Sequence, residues 1–371
     1  MSWLGAVLLV AALTAPVQAV GCAGQDVPPA VATEATVTPL PWPAEPVGGA
    51  GLGTCGDVGP AGVPAVGAAS YVLADLDSGA VLAARAAHAR HRPASTLKVL
   101  TALVVARRLN PDTVVDGTAE DLRVDGSKAG IGPDGHYTVA QLLDGLLLNS
   151  GNDAAEALAR ALGGDAATTA AMTETARGIG ALDTRPATVS GLDGPGMAMS
   201  AYDLAVIYRV AMREKLFAST MATRMVAFPG YGPKPGFMLS SNELFVANYP
   251  GAVNSKSGFT DDARHTLVAS AERGGRRLVV TLMRGEQAPV PMWRQAGALL
   301  DWGFTQPAGG PAIGTLVDTA PVPPPTVAPV AAPLPPAPQT AADPVLIGAA
   351  GAAVAVLLAV AATFLLRRRR R

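Results

Sequence analysis

The chain has 371 residues, of which 49% are hydrophobic and only 5% aromatic, and its formal net charge is −1. Five of its basic residues form one block at the C-terminus, residues 367–371, so the remainder of the chain is acidic overall. This length allows one large domain or two small ones. The lack of a basic patch excludes a nucleic-acid-binding protein.

The N-terminus is typical of a secretory signal peptide. Residues 3–13 are apolar and uncharged, and PVQA at residues 16–19 is a small-residue cleavage site, which predicts a signal peptide over residues 1–19. No Lys or Arg precedes the apolar stretch, a departure from the usual pattern. The alternative is lipid attachment at Cys22, but the residues before it lack the usual leucine. After export to an oxidising compartment, Cys22 and Cys55 are expected to form a disulfide.

The C-terminus predicts a membrane anchor. Residues 345–366 carry no charge, and at about 1.5 Å per residue a helix of this length reaches roughly 33 Å, enough to cross a bilayer core of about 30 Å. The basic block at 367–371 predicts a cytoplasmic tail, with the rest of the protein outside. A buried globular helix would not be uncharged on every face and then end in a basic block. The Pro- and Ala-rich residues 305–344 predict an extended linker.

The segment between these ends divides into an irregular Pro- and Gly-rich arm, residues 20–65, and a globular domain, residues 66–304. Apolar runs bounded by turn residues predict strands at 69–74, 80–86, 266–272 and 276–283. Residues 238–248 predict a strand or hairpin. Periodic apolar runs predict one helix that begins near residue 95 and others at 138–148, 153–162, 166–179, 201–213 and 292–302.

The motif PASTLK at residues 93–98 precedes an almost wholly apolar run that ends in two arginines. If the helix begins near Ser95, then Ser95 and Lys98 lie three residues apart on one face. A serine hydroxyl needs a base to become a nucleophile, and a lysine amine can serve where burial and nearby cations lower its pKa. The alternative is a helix-capping serine beside a solvated lysine.

Two further motifs follow in the chain. NSGN at 149–152 forms a tight elbow between two predicted helices, so Ser150 and Asn152 can point into one cleft, although cap and turn chemistry is the alternative. In KSG at 256–258, Lys256 supplies positive potential, Ser257 a hydroxyl for a carboxylate, and Gly258 room for a substrate backbone. The ordered set S-x-x-K, S-x-N and K-[ST]-G is typical of penicillin-binding proteins and class A β-lactamases.

The chain therefore resembles the serine D-alanyl-D-alanine carboxypeptidases, the low-molecular-mass penicillin-binding proteins. The resemblance covers roughly residues 66–304 and includes NSGNDAA at 149–155, SAYDLA at 200–205 and KSGFT at 256–260. It implies a mixed α+β domain, with a mainly antiparallel sheet packed between helices and an all-helical subdomain. No cofactor and no metal are expected, and His88 and His91 are interpreted as part of a basic loop because no acidic or cysteine ligands cluster near them.

The resemblance also implies a role for each motif residue. Ser95 would attack the bond between the two terminal D-alanines of a peptidoglycan stem peptide while Lys98 takes its proton, and Ser150 would relay a proton to the leaving D-alanine. The backbone N–H groups of Ser95 and Phe259 would form an oxyanion hole. β-Lactams would act as inhibitors. The implied substrate-binding residues are Asn152, Lys256, Ser257, Gly258 and Phe259.

Several alternatives remain at this point. A β-lactamase needs an additional glutamate base, and Glu174 is the only glutamate between residues 163 and 200. A non-catalytic wall-binding relative would keep the cleft without the chemistry, and a transpeptidase or endopeptidase would share the acyl-enzyme. The chain departs from the family pattern at Ser257, where threonine is commoner, and after the third motif, where Arg264 and Arg284 are both candidates to assist the substrate carboxylate.

Overall fold

The computed structural model describes residues 37–320. The predicted signal peptide, the start of the arm with Cys22, the linker beyond residue 320, the predicted membrane span and the basic tail lie outside the described residues. Cys55 is disulfide-bonded, and its predicted pairing with Cys22 stays a prediction. Between residues 37 and 320, no helix has the length and apolar character needed to cross a membrane.

The described residues form strands and α-helices, and the three longest strands follow one another near the end. Its strands are β1 (Asp57–Val58), β2 (Ser70–Asp75), β3 (Ala80–Arg85), β4 (Val114–Asp116), β5 (His136–Thr138), β6 (Met225–Phe228), β7 (Phe237–Ser240), β8 (Ala252–Thr260), β9 (Arg264–Arg273), β10 (Arg276–Gly285) and β11 (Gly314–Thr315). Its α-helices are α1 (Lys98–Arg108), α2 (Val139–Leu148), α3 (Asn152–Ala161), α4 (Asp165–Gly178), α5 (Ala201–Ala211), α6 (Lys215–Ala222), α7 (Leu244–Asn248) and α8 (Met292–Thr305).

The main sheet is antiparallel, with strands in the order β1-β3-β2-β10-β9-β8 and β11 paired beside β1 on β3. It is apolar on both faces: along β2, Val72 and Ala74 join one core while Tyr71 and Leu73 join the other. Helix α5 covers the first face and α8 the second. The third motif lies on β8, which is an edge strand, so one side of that strand is free of sheet partners among the described residues.

The predicted all-helical subdomain consists of α1 with α2, α3, α4 and α6 packed around it. The predicted mixed fold, a mainly antiparallel sheet between helices, is confirmed. Thr138 caps α2, because it forms a capping box with Gln141. Ser200 accepts a hydrogen bond from the Asp203 N–H at 3.0 Å and so caps α5.

Residues 238–248 differ from the prediction in their second half. Residues 237–240 form β7, which pairs with β6, but residues 244–248 form helix α7. The helix buries Phe245, whose ring stacks on Tyr249 with centroids 4.8 Å apart. A four-residue apolar run does not distinguish a strand from a helix, and here packing against α8 and β8 decides for a helix.

The globular unit extends past both predicted boundaries, residues 66 and 304. In the arm, β1 pairs with β3, and in the predicted linker β11 also pairs with β3. Leu52 and Leu316 are buried beside them. These segments cover an edge of the sheet that would otherwise expose unpaired backbone groups. The Pro and Gly content that predicted an arm and a linker carries no information about this edge pairing.

Candidate active site

Ser95 lies in a tight turn that leads into α1. The turn is a 3₁₀ helix over Ala94–Leu97, and α1 itself begins at Lys98. Ala94 has a φ of 48°, a left-handed conformation that costs a non-glycine residue energy and is found at functional sites. The Thr266 hydroxyl donates a hydrogen bond to the Pro93 carbonyl at 2.8 Å. The turn is therefore fastened to strand β9 and held where the sheet meets the helical subdomain.

Lys98 is fully buried and points back at Ser95. Its Nζ lies 3.0 Å from Ser95 Oγ, 2.6 Å from Asn152 Oδ1 and 2.5 Å from the Ser190 carbonyl oxygen. Burial, followed by repulsion from the charge of Lys256, holds the pKa of Lys98 well below its usual value. The amine is thereby favoured over the ammonium, and a neutral amine at this distance can take the proton of Ser95.

The second motif is the elbow that the sequence predicted between α2 and α3. Ser150 is 7% exposed and has a φ of 58°, so the chain makes a sharp bend at this residue. Asn152 is the first residue of α3, and its Nδ2 donates to the Asp125 carbonyl at 2.7 Å. That bond orients the amide so that Oδ1 faces Lys98. The geometry therefore supports a role for Asn152 in holding Lys98, and the substrate-binding role that the resemblance implies stays a prediction.

Asp153 connects the elbow to a neighbouring loop. The sequence analysis did not identify this residue. It is fully buried, and its carboxylate accepts backbone hydrogen bonds from Ala129, Gly130 and Ile131 at 2.7, 2.8 and 3.0 Å. These bonds fasten the loop 125–131 to the start of α3. The loop supplies the carbonyl that orients Asn152, so Asp153 acts on the site through the loop.

The third motif is brought against the first. A side chain at Gly258 would place its Cβ 2.6 Å from the backbone N of Ser95 and 2.7 Å from Thr266 Oγ1. Glycine is thus required because the strand itself touches the serine turn, which is a different reason from the predicted approach of a substrate. Phe259, the next residue, is 48% exposed, and its ring lies 4.5 Å from that of His265.

Lys256 and Ser257 share a partner that the sequence did not indicate. Lys256 is buried, and its Nζ donates to Glu243 Oε1 at 3.1 Å and to the Ser257 carbonyl at 2.7 Å. The Ser257 hydroxyl donates to the same Glu243 oxygen at 3.1 Å. Ser257 therefore has to turn from Glu243 before it can donate to a substrate carboxylate.

Both candidate arginines have partners within the protein. Arg264 forms a bidentate ion pair with Glu286, with distances of 2.8 and 2.9 Å. Arg284 donates to the Asp262 carbonyl at 2.9 Å. Neither contact distinguishes which of the two assists a carboxylate.

Sequence reasoning missed three groups at the site. The Ser190 carbonyl belongs to a backbone position, so no residue type could reveal it. Asp153 follows Asn152 directly and is the only acid in the first turn of α3, which is a usable signal. Glu243 lies in the segment 238–248, whose helix was not predicted, and gave no signal.

A serine hydroxyl in contact with a buried amine is an activated nucleophile of the kind that forms acyl-enzymes. The S-x-x-K, S-x-N and K-[ST]-G motifs lie together at one edge of the sheet of a mixed α+β fold. This fold and this site define the class of the penicillin-interacting serine enzymes.

The D-alanyl-D-alanine carboxypeptidase family, peptidase S11, matches residues 58–287. The chain is 45% identical over 255 residues to the D-alanyl-D-alanine carboxypeptidase DacB2 of Mycobacterium tuberculosis, a match that covers 67% of this chain and 87% of the relative. It is 34% identical to DacD of Salmonella typhimurium over 65% of this chain and 63% of the relative. The chain belongs to the peptidase S11 family of D-alanyl-D-alanine carboxypeptidases.

Solved structures agree with this assignment. A crystal structure of a D-alanyl-D-alanine carboxypeptidase from Mycobacterium tuberculosis H37Rv superposes with a TM-score of 0.67 at 42% identity, covering 70% of this chain and all of that one. The Streptomyces K15 DD-transpeptidase superposes with a TM-score of 0.62 at 26% identity, covering 66% of this chain and 99% of that one.

Proposed function

We propose that this protein is a serine DD-carboxypeptidase that removes the terminal D-alanine from peptidoglycan stem pentapeptides. The observation that carries the proposal is the 3.0 Å contact between Ser95 Oγ and the buried Nζ of Lys98. A serine held this close to an amine of lowered pKa is prepared to lose its proton as it attacks a carbonyl.

The reaction then follows from the proposed roles. Ser95 Oγ attacks the carbonyl carbon between the terminal D-alanines as Lys98 accepts the hydroxyl proton, and the oxyanion accepts hydrogen bonds from the backbone N–H groups of Ser95 and Phe259. The C–N bond breaks as a proton reaches the leaving amine through Ser150. Water then attacks the ester, Ser95 recovers its proton, and the shortened peptide leaves. Lys256 and Ser257 hold the substrate and its charges in place, and Asn152 does so while it also orients Lys98.

A β-lactamase is disfavoured by the position of Glu174. This side chain is 75% exposed on α4 and forms an ion pair with Arg108 at 2.7 Å. It is turned to solvent, so it does not supply the second base that rapid hydrolysis of a β-lactam acyl-enzyme needs. An adduct with a β-lactam is therefore expected to persist, and β-lactams are expected to act as inhibitors.

The acceptor of the acyl group is proposed to be water. One structural relative is a DD-transpeptidase by its name, and an amine acceptor would use the same acyl-enzyme. The stem pentapeptide assay distinguishes the two. Both reactions release D-alanine, but hydrolysis leaves the free tetrapeptide whereas transfer to an added amine yields a new amide.

We further propose that the enzyme is exported and then anchored by one C-terminal helix, so that the catalytic domain lies outside the cytoplasmic membrane. The supporting features are in the sequence: the leader at residues 1–19, the uncharged residues 345–366 and the basic block that follows. Protease added to wall-stripped cells should remove the catalytic domain. Full protection of that domain would contradict the topology.

The activity is tested with the purified ectodomain, a stem pentapeptide and a penicillin. Free D-alanine should appear, and the intact mass should rise by one penicillin, with peptide mapping that places the adduct on Ser95. Ser95→Ala should bind no penicillin covalently, and Lys98→Ala should acylate about 10²–10⁴-fold more slowly because the positioned base is lost. An adduct at Ser150 or Ser257, or turnover of penicillin within milliseconds, would overturn the proposal.

A further inference from the structure

Glu243 binds the free edge of strand β8 beside the third motif. It precedes α7, and its Oε1 accepts hydrogen bonds from the Ser257 N–H at 2.9 Å, the Ser257 hydroxyl at 3.1 Å and Lys256 Nζ at 3.1 Å. Its Oε2 accepts from the Ser255 hydroxyl at 3.3 Å. None of the roles proposed above uses this carboxylate. One of its oxygens lies where a neighbouring strand would place a carbonyl.

The Ser257 N–H shows which residues of β8 face the free edge. Each residue of an antiparallel strand directs its N–H and C=O to one side, and alternate residues face opposite sides. Because the Ser257 N–H donates to Glu243 and not to β9, the N–H of Phe259 faces the same free edge. The proposed oxyanion donor of Phe259 and the Glu243 carboxylate therefore lie on one side of the strand.

These two positions determine the direction and register of a bound peptide. The scissile carbonyl accepts from the Phe259 N–H, and the terminal carboxylate lies toward Ser257, earlier in the strand, so the substrate runs antiparallel to β8. Two residues on one strand then correspond to two on the other. The carbonyl that would accept from the Ser257 N–H thus belongs to the second residue after the scissile bond. A stem pentapeptide has only one residue there, its terminal D-alanine.

The Glu243 carboxylate is held firmly in this position. Only 2% of the side chain is exposed, and it would lose four hydrogen bonds by moving aside. The preceding residue is fastened as well, because the Asn242 N–H donates to the carbonyl of Leu148, the last residue of α2, at 3.3 Å. Phe245, in the first turn of α7, is buried. A peptide on the free edge therefore meets a fixed acceptor at Ser257.

We propose that Glu243 is the specificity-determining residue that limits the enzyme to the removal of one residue. Its carboxylate occupies the Ser257 N–H and so closes the edge of β8 to a peptide that continues past the terminal D-alanine. The Ser257 hydroxyl can still rotate toward the substrate carboxylate, whereas its N–H is fixed in the strand. The inference rests on the proposed function, because it explains why that reaction stops at the last residue.

The test compares two substrates of the full-length protein: the stem pentapeptide, and the same peptide with one further D-alanine at its C-terminus. Initial rates give kcat/KM for release of D-alanine from the first and of the D-alanyl-D-alanine dipeptide from the second. In the wild-type protein, dipeptide release should be at least about tenfold less efficient, because the added residue finds the Ser257 N–H already bonded. Equal efficiencies would overturn the inference.

Two variants separate the length of the side chain from its charge. Glu243→Asp keeps the charge but is one methylene shorter, so it withdraws from the Ser257 N–H, and the efficiency of dipeptide release relative to D-alanine release should rise about tenfold. Glu243→Gln keeps the length and a carbonyl oxygen, so this ratio should stay within about threefold of the wild type. Glu272→Asp, at an exposed acid on β9, is the matched control and should leave the ratio unchanged.

Other roles of Glu243 predict other results. If the residue only stabilises the fold, Glu243→Asp lowers Tm and both efficiencies together, and their ratio stays the same. If its charge sets the specificity, the ratio changes in Glu243→Gln and not in Glu243→Asp. Either result would contradict the inference, and the wild-type comparison still tests it when a variant does not fold. If the wild-type protein releases no D-alanine from the pentapeptide, the proposed function fails instead, so the two failures are distinct.

Discussion

Neighbouring groups shift the pKa of Lys98 in opposite directions. Burial and Lys256 lower its pKa, whereas Asp153 and Glu156 raise it. Its nearest side-chain acceptor, Asn152 Oδ1 at 2.6 Å, is neutral. A neutral acceptor orients the amine without attracting a proton to it, which explains why an amide at this position suits a lysine base better than a carboxylate would.

The substitution Asn152→Asp should therefore shift the pH dependence of acylation. A carboxylate this close raises the pKa of Lys98, by about 1–3 units for an opposite charge within hydrogen-bonding distance. Lys98 then remains protonated to higher pH, so acylation by penicillin at pH 7 should fall by about tenfold or more and recover as the pH rises. The rate should be measured from pH 5 to 10. Asn149→Asp, on the same elbow but bonded to the Lys128 carbonyl, is the control, and an equal shift in both variants would refute the explanation.

Strand β8 and the serine turn form one unit because the strand passes so close to Ser95. Gly258→Ala would place a methyl group 2.6 Å from the Ser95 N, and the strand would have to move away. A displacement of about 1 Å can cost about 10²-fold in rate, so acylation should fall by that order. Gly56→Ala, where nothing lies within 4 Å of the added carbon, should acylate like the wild type. Normal acylation by Gly258→Ala would show that the strand tolerates the shift.

The loop 125–131 and helix α3 depend on Asp153 in a similar way. Asp153→Ala leaves the three backbone N–H groups of the loop and that of Ala154 without this acceptor, and an unsatisfied buried donor costs about 1–3 kcal/mol. The free energy of unfolding should fall by about 3 kcal/mol or more in a urea titration. Asp112→Ala, an exposed loop acid, should change it by no more than about 0.5 kcal/mol. Similar losses in the two variants would mean that the loop is held by other contacts.

Across the whole described unit, the arm and the third motif lie at opposite edges of the sheet. Strand β1, two residues after Cys55, is at one edge, and β8 is at the other. The arm is held by β3 and by Arg90, whose guanidinium donates to the Leu40 and Pro41 carbonyls and lies 3.5 Å from the centre of the Trp42 ring. The arm is thus positioned to affect stability more than chemistry.

The double substitution Cys22→Ser, Cys55→Ser should lower the stability of the protein and spare its activity. Loss of a disulfide that closes a loop of this length costs about 2–4 kcal/mol, so Tm should fall. Acylation by penicillin should stay within about twofold of the wild type at a temperature below the transition. A large loss of acylation with Tm unchanged would show that the arm contributes to the cleft.

Much of this protein could be predicted from local patterns. The hairpin β9–β10, the caps at Thr138 and Ser200, and the elbow with Ser150 and Asn152 all depend on short-range signals, namely apolar alternation, capping residues and turn chemistry. The three motifs identified the catalytic class because their order along the chain is itself specific.

Other features were decided by contacts between distant segments. The pairing of β1 and β11 with β3, the helix at residues 244–248 and the approach of Gly258 to Ser95 are not encoded in neighbouring residues. The same holds for the lowered pKa of Lys98, which depends on burial and on repulsion from Lys256. The sequence alone determined which groups could react. Only the tertiary structure decided their protonation, because a pKa responds to the distance and desolvation of charges far apart in the chain.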